Sequence, residues 1–108
     1  MKLGPFAFNI TAEDVRQFRL ATGLAAEGPV PVAFLARFFT EEKVLQALRA
    51  HYGARVPIHV AQSFKIHSKI DPGHVTGLLE IEGGRVAARL ADGQGRELAE
   101  VIGEFAFR

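Results

Sequence analysis

Four histidines and one linker carboxylate are the side chains of this sequence best suited to acid–base or metal chemistry. The histidines occupy positions 51, 59, 67 and 74. None of them forms a His-x-Glu-x-x-His pattern or another spacing typical of metal ligands. The chain contains no Cys, which excludes thiolate ligands and Cys nucleophiles. We therefore expect no metal, and the chemistry left to examine is acid–base chemistry by a His or a carboxylate.

Three polar side chains stand out by their position in the predicted elements. His59 lies on the polar face of a predicted strand together with Ser63, where it is either solvated surface or a catalytic group. Glu27 is the one charged residue of a linker over residues 24–30, and it is either a solvated loop acid or a catalytic carboxylate. Gln62 is the one polar residue on the apolar face of the same strand. Its amide is either satisfied by backbone or by a partner chain, or it lines a ligand channel.

The composition is that of an ordinary globular protein. The 108 residues are 48% hydrophobic and 23% charged, with a net charge of +1, which suits one domain over residues 1–108. No run of Lys or Arg is present, so the sequence does not predict binding to nucleic acid. The first ten residues fit neither a signal peptide nor a membrane span, and the Gly-rich segment around Gly93 precedes no predicted helix, as a phosphate loop would. We expect a cytoplasmic protein that binds no nucleic acid, no membrane and no cofactor.

Two helices are predicted in the first half of the chain. Thr11 is typical of an N-cap, and the first helix is expected to end near Thr22, at Gly23. The second helix, over residues 31–52, is apolar almost all round in its first half, which is typical of a helix enclosed by the rest of the domain. We expect an interruption at Thr40, which would cap a second helical piece.

The apolar face of this central helix follows a spacing of three, four and seven residues. Its members are Phe34, Phe38, Leu45, Leu48 and Tyr52. Phe38 is therefore expected to face the sheet, whereas Lys43 falls on the polar side of the helix.

Strand patterns follow, with a period of two and tight turns between them. A strand over residues 59–70 has one polar face and one face that is apolar apart from Gln62. Further strands are predicted over residues 75–82 and 85–91 and through the last ten residues, joined by Gly-rich turns that indicate an antiparallel meander. A brief extended segment or an edge strand is predicted over residues 3–8. Together these patterns predict an α+β fold in which an antiparallel sheet wraps around a long central helix.

Several stretches of the chain resemble MaoC-like domains, the family of the (R)-specific enoyl-CoA hydratases and 3-hydroxyacyl-thioester dehydratases. The first helix and its flanks resemble the start of that family through Phe8, Ile10, Thr11, Asp14 and Phe18. The remainder resembles its C-terminal two thirds through residues 58–66, 70–76, 92–95 and 104–105. Members of this family have the hot-dog fold, so the resemblance implies that fold over most of the chain.

The sequence departs from the family where the hydratases carry their catalytic residues. There the Ser/Thr-Gly that ends the first helix is followed by Asp-x-Asn-Pro-Leu/Ile-His, whose Asp and His activate or deliver the water. Residues 23–29 (GLAAEGP) hold neither side chain at this place. In the family's Pro-Ile/Val-Ala-His-Gly stretch, Phe34 replaces the His and Leu35 replaces the Gly whose backbone amide would polarise the thioester carbonyl. A shortened copy without the Asp and His is similar to the non-catalytic halves of double-hot-dog and heterodimeric dehydratases.

The resemblance implies a subunit that binds thioesters of coenzyme A or of acyl carrier protein, as a homodimer or as a heterodimer with a catalytic MaoC-like subunit. It implies no catalytic residue. The acyl chain would contact the central helix and the facing strand through Pro31, Phe34, Leu35, Phe38, Gln62 and Phe64. A second hypothesis is an autonomous thioesterase or hydratase of the same fold that uses Glu27 or His59. A third is a structural dimerisation module without a ligand. Free edges of small sheets are usually covered, which favours at least a dimer.

Overall fold

Five strands and three helical segments make up the computed structural model, which describes residues 1–53 and 57–107 and, among these, all side chains except those of Pro57, His59 and Phe107. The strands are β1 (Lys2–Ile10), β2 (Pro57–Ile66), β3 (Gly73–Glu82), β4 (Arg85–Asp92) and β5 (Glu97–Phe107). The helical segments are α1 (Ala12–Ala21), a 3-10 helix (Val32–Thr40) and α2 (Glu42–Tyr52). Within the described ranges, no helix is long and apolar enough to cross a membrane.

The strands form one antiparallel sheet in the order β1-β3-β4-β5-β2. Consecutive strands β3, β4 and β5 are neighbours, so the predicted meander is confirmed. β1 pairs with β3 and β2 pairs with β5, which places β1 and β2 at the two edges of the sheet. β1 is longer than predicted because its pairing with β3 continues to Ile10, opposite Gly73. The predicted α+β class is confirmed.

The 3-10 helix packs on the inner face of the sheet and supplies much of the core. Its four buried side chains are Phe34, Leu35, Phe38 and Phe39. The Phe38 ring has no exposed surface and lies edge-on to the rings of Phe6 and Phe8 in β1, with centroids 6.5 and 5.7 Å away. Burying an aromatic side chain of this size contributes about 1.5–3 kcal/mol to folding. The first half of the central segment is therefore buried on its sheet-facing side, whereas Val32 is 42% exposed, so the predicted enclosure on nearly all sides is wrong.

α1 begins and ends as the sequence predicts. The Thr11 hydroxyl accepts a hydrogen bond from the backbone N–H of Asp14 at 3.1 Å, which satisfies one of the free amides at the helix start. Ile10 and Val15, on either side of this cap, are both buried, as expected for a hydrophobic staple. At the other end, Gly23 has a φ of 84°, a conformation that glycine adopts without steric cost.

The central element is two helices and not one helix over residues 31–52. Val32–Thr40 is a 3-10 helix, and Glu41 then adopts an extended backbone before α2 begins. The predicted interruption is thus present, but Thr40 is not the cap. Its hydroxyl donates to the Arg37 carbonyl at 2.7 Å, so it stabilises the preceding turn, while Glu41 caps α2 without a side-chain hydrogen bond.

β2 is shorter than the predicted strand and ends at Ile66. Gln62, Phe64 and Ile66 pair with residues of the inner face of β5, so the predicted apolar face is confirmed over this part of the strand. The pairing register shifts between His59 and Ala61, because β2 has one residue more than β5 there. The period of two therefore does not run unbroken from His59 onward, and the His59 side chain lies outside the described residues.

Candidate functional site

The linker between α1 and the 3-10 helix is a closed loop held by Arg19. The Arg19 Nε donates to the carbonyl of Ala25 at 2.7 Å, and its Nη1 donates to the carbonyl of Pro29 at 2.9 Å. Gly28 has a φ of 149°, and a Cβ at that position would lie 2.5 Å from the guanidinium. One planar side chain therefore fixes both ends of the loop and requires a residue without a side chain in between.

Glu27 lies in this loop and is exposed. In the part of the chain that the structure describes, it forms no hydrogen bond and no ion pair. A carboxylate that is open to water and has no neighbour to orient it lacks the features of a tuned acid or base. The structure thus places the one linker carboxylate at the surface.

The start of the 3-10 helix holds three of the predicted binding residues. Pro31 is half-buried and precedes the helix, and its carbonyl accepts a hydrogen bond from the amide of Phe34 at 3.0 Å. The Phe34 ring stacks on Phe8 and lies edge-on to Phe18 at 5.4 Å. Leu35 is also buried in the core. The two residues that replace the family's His and Gly are therefore packing residues here.

Three further predicted binding residues differ in exposure, which increases from Phe38 to Phe64 to Gln62. Phe38 is fully buried, and Phe64 is half-buried against the same apolar cluster. Gln62 pairs with Gly103 on the inner face of the sheet, but it is exposed because β2 is an edge strand. The structure brings Phe34, Leu35, Phe38 and Phe64 into one apolar cluster and leaves Gln62 at its rim.

A polar region lies between two turns, at a part of the core edge formed by Val75 and Leu98. A cavity of about 270 Å³ is lined by Lys69, Asp71, His74, Asp92, Gln94 and Arg96, among others. Its carboxylates already have partners, since Lys69 pairs with Asp71 at 3.8 Å and Arg96 with Asp92 at 3.3 Å. The pKa of Asp92 is lowered because its carboxylate accepts hydrogen bonds from the backbone amides of Arg96 and Gln94. These contacts serve to stabilise the turn between β4 and β5.

No metal site is visible in the part of the chain that the structure describes. Among the described residues, no three His, Asp or Glu side chains lie close enough together to hold a metal ion. The candidate His59 cannot be placed, since its side chain is outside the described residues. What the described arrangement offers is a packed apolar cluster, at which Phe64 keeps part of its surface exposed.

Two residues with a clear structural role were missed by sequence reasoning. Arg19 organises the linker, and the signal for it was an arginine in the last helical turn followed by a loop that contains a Gly-Pro pair. Gly77 lies in the middle of β3, where the Phe38 ring takes the space of a side chain. A glycine inside an otherwise apolar strand indicates such a close approach.

Comparison with known proteins supports the fold and not a family assignment. No family model and no curated protein matches the sequence. The C-terminally truncated HadBC complex from Mycobacterium tuberculosis, a 3R-hydroxyacyl-ACP dehydratase, matches with a TM-score of 0.81 at 15% identity, over 98% of this chain and 95% of that chain. An (R)-hydratase from A. caviae involved in PHA biosynthesis matches with a TM-score of 0.65 at 16% identity, over 100% of this chain and 95% of that chain.

A thioesterase shares the fold as well. The fluoroacetyl-CoA thioesterase FlK matches with a TM-score of 0.68 at 20% identity, over 100% of this chain and 85% of that chain. Proteins of different activity thus have the same arrangement of sheet and central helical segment, and fold alone does not choose between their activities. The chain has the hot-dog fold that the resemblance to MaoC-like domains implied.

Proposed function

We propose that this chain is an acyl-thioester-binding hot-dog subunit related to MaoC-like hydratases and dehydratases, and that it is the non-catalytic half of a dimeric enzyme. The observation that carries the proposal is the closed linker between α1 and the 3-10 helix. Arg19 spans it by bonding to Ala25 and Pro29, and the segment contains no Asp and no His. This is the segment in which the hydratases that the sequence resembles carry both catalytic side chains.

The absence of the catalytic Asp and His from the linker is expected to have a large effect on the reaction rate. Loss of a general acid or base lowers a rate by roughly a hundred- to ten-thousand-fold. Only Glu27 in the linker is titratable, and it is exposed. We therefore infer that water addition across a double bond is carried out by a partner subunit.

Binding of a thioester does not require a general acid or base, because an acyl chain is held mainly by apolar contact. Of the proposed binding residues, Pro31, Gln62 and Phe64 retain exposed surface and would contact the ligand first. The buried residues Phe34, Leu35 and Phe38 would form the apolar wall behind it. The acyl carrier would be coenzyme A or acyl carrier protein, and residues 1–108 would act as one domain in the cytoplasm.

Calorimetric titration of the purified chain with crotonyl-CoA and with a longer trans-2-enoyl-CoA tests this role. We expect binding that tightens with chain length, and weaker binding by the Phe64→Ala variant. The matched control is Leu78→Ala, which removes an exposed aliphatic side chain elsewhere on the sheet. Equal heats for free coenzyme A and for both thioesters would contradict a site for the acyl chain.

An autonomous thioesterase is the second candidate, since FlK has the same fold and Glu27 is a carboxylate in the linker. Release of free thiol from acyl-CoA substrates distinguishes it. Hydrolysis that is lost in Glu27→Gln and kept in Glu80→Gln, an exposed carboxylate on β3, would favour the thioesterase over the non-catalytic subunit.

A further inference from the structure

β2 forms an edge of the sheet, and among the described residues only β5 pairs with it. It exposes two large aliphatic side chains, Val60 with 60% and Ile66 with 45% of its surface accessible. Soluble proteins usually protect a free edge with charges or cover it, because its unpaired N–H and C=O groups bind other strands. Residues 61–66, beyond the register shift, contain one charged side chain. This edge therefore has the features of an interface.

The charges next to this edge alternate in sign across the sheet. Arg89 in β4 faces Glu100 in β5, and Glu100 faces Lys65 in β2. The Arg89 and Glu100 side chains form an ion pair at 3.6 Å. Opposite charges on facing strands stabilise a sheet, whereas like charges destabilise it. Arg89, Glu100 and Lys65 thus form a row of alternating charge that ends with Lys65 at the edge. The next residue in this row would belong to a strand that pairs with β2.

Lys65 differs from the other basic residues near this edge. His67 lies 3.8 Å from Glu97, and Lys69 lies 3.8 Å from Asp71. Lys65 forms no ion pair with any carboxylate of the described residues. Within residues 61–70 of the described part of the chain, Lys65 is thus the basic side chain that is left for a partner.

The β2 strand of a second copy has no carboxylate to place opposite Lys65. If two β2 edges pair, the residue opposite Lys65 is itself a β2 residue, whatever the register and direction of the pairing. β2 contains no Asp and no Glu, and neither do the residues that follow it as far as position 70. Pairing of two identical edges therefore places no carboxylate of the partner strand opposite either Lys65.

We propose that the free edge of β2 pairs with a strand of a different chain that carries a carboxylate opposite Lys65, and that this charge selects such a partner over a second copy. The inference rests on the proposed role as one half of a dimeric enzyme and specifies the other half. It makes the assembly a heteromer with an acidic edge strand on the partner. Complementary charges of this kind act on specificity more than on total affinity.

Three forms of this chain test the proposal without knowledge of the natural partner. The acidic copy carries Ala61→Glu, Ser63→Glu and Lys65→Glu, because these three positions share the strand face of Lys65. The neutral copy carries Gln at the same three positions. Each is mixed with wild type, and native mass spectrometry measures the fraction of mixed dimers. We expect the association constant of wild type with the acidic copy to exceed the value for statistical mixing by about two- to fivefold, the strength of one cross-strand ion pair.

The excess should disappear between about 50 mM and 1 M salt, because exposed charges are screened. At both salt concentrations, wild type and the neutral copy should form mixed dimers in the statistical fraction. Statistical mixing with the acidic copy at low salt, or wild-type dimers as tight as the mixed ones, would overturn the proposal.

A second variant covers the case in which the acidic copy does not fold. Ala61→Glu with Ser63→Glu keeps Lys65, so its edge carries both charges and should dimerise with itself more tightly than wild type, by a similar factor. Self-association no tighter than that of wild type would contradict the inference. Neither readout contains a thioester, so its failure is distinct from a failure of the acyl-CoA titration.

Discussion

The ring of Phe38 lies directly on the backbone of Gly77, at a place where a Cβ atom on β3 would overlap the ring carbons Cε1 and Cζ. The same Cβ would lie 3.0 Å from the Cδ2 of Leu90 on the neighbouring strand. The 3-10 helix can therefore approach the sheet this closely only because β3 lacks a side chain at that point. This contact lies in the last third of the 3-10 helix and sets how closely the helix packs on the sheet there.

Gly77→Ala should therefore lower the free energy of unfolding by about 1–3 kcal/mol, the usual effect of forcing extra volume into a packed core. The matched control is Gly93→Ala, since a Cβ there meets no atom within 4 Å. Urea denaturation of both variants measures the difference. A Gly77→Ala midpoint equal to that of the control would mean that the ring has room to move away.

Phe38→Ala should cost about 3–5 kcal/mol, as for other large core aromatics. Lys43→Ala should cost little, because Lys43 is exposed on α2. The double variant Gly77→Ala with Phe38→Ala should be more stable than the sum of the single effects predicts, since the new methyl group fills space that the ring has left. Strict additivity in a denaturation series would argue against the contact.

Arg19→Ala should open the linker, because the carbonyls of Ala25 and Pro29 lose their charged donor. We expect a loss of about 1–2 kcal/mol and faster hydrogen exchange confined to residues 24–30. Arg16→Ala, an exposed arginine of the same helix, serves as the control. Unchanged exchange in the linker after Arg19→Ala would show that other contacts hold the loop.

Asp92 should make the turn between β4 and β5 sensitive to acid. Its folded-state pKa is lowered from 3.8 by the backbone amide donors of Arg96 and Gln94, so the carboxylate stabilises the fold above its unfolded-state pKa. That contribution is lost as the pH falls through 3.8 and below the lowered value. Asp92→Asn should therefore be less stable than wild type at about pH 7 and nearly equal to it at about pH 2. Thermal unfolding at both values measures the difference, and an equal gap at both would contradict this account.

Local features of the fold could be predicted from the sequence, whereas close contacts between residues far apart in the chain could not. Thr11, Gly23 and the turns around Gly83 and Asp92 were predictable because capping and turn chemistry depend on neighbouring residues. The split of the central helix was located within one residue, but its cap was not, because the Thr40 hydroxyl had an equally local alternative at Arg37.

Features that depend on distant residues were not accessible from sequence. The register shift after His59 depends on how β2 fits β5. The role of Gly77 depends on Phe38, which lies on another element. The candidate site shows the same division. The absence of Asp and His from the linker could be read directly, whereas the closure of that linker by Arg19 required the fold.

The most direct test of the non-catalytic role is hydration of trans-2-enoyl thioesters by the pure chain. The assay follows the loss of the conjugated absorbance of crotonyl-CoA and of longer homologues. We predict a rate at background, since the linker supplies no general acid or base and such a group is worth roughly a hundred- to ten-thousand-fold. Sustained turnover that is abolished by Glu27→Gln or by His59→Ala, and unaffected by Glu80→Gln, would contradict the account and make this chain an enzyme in its own right.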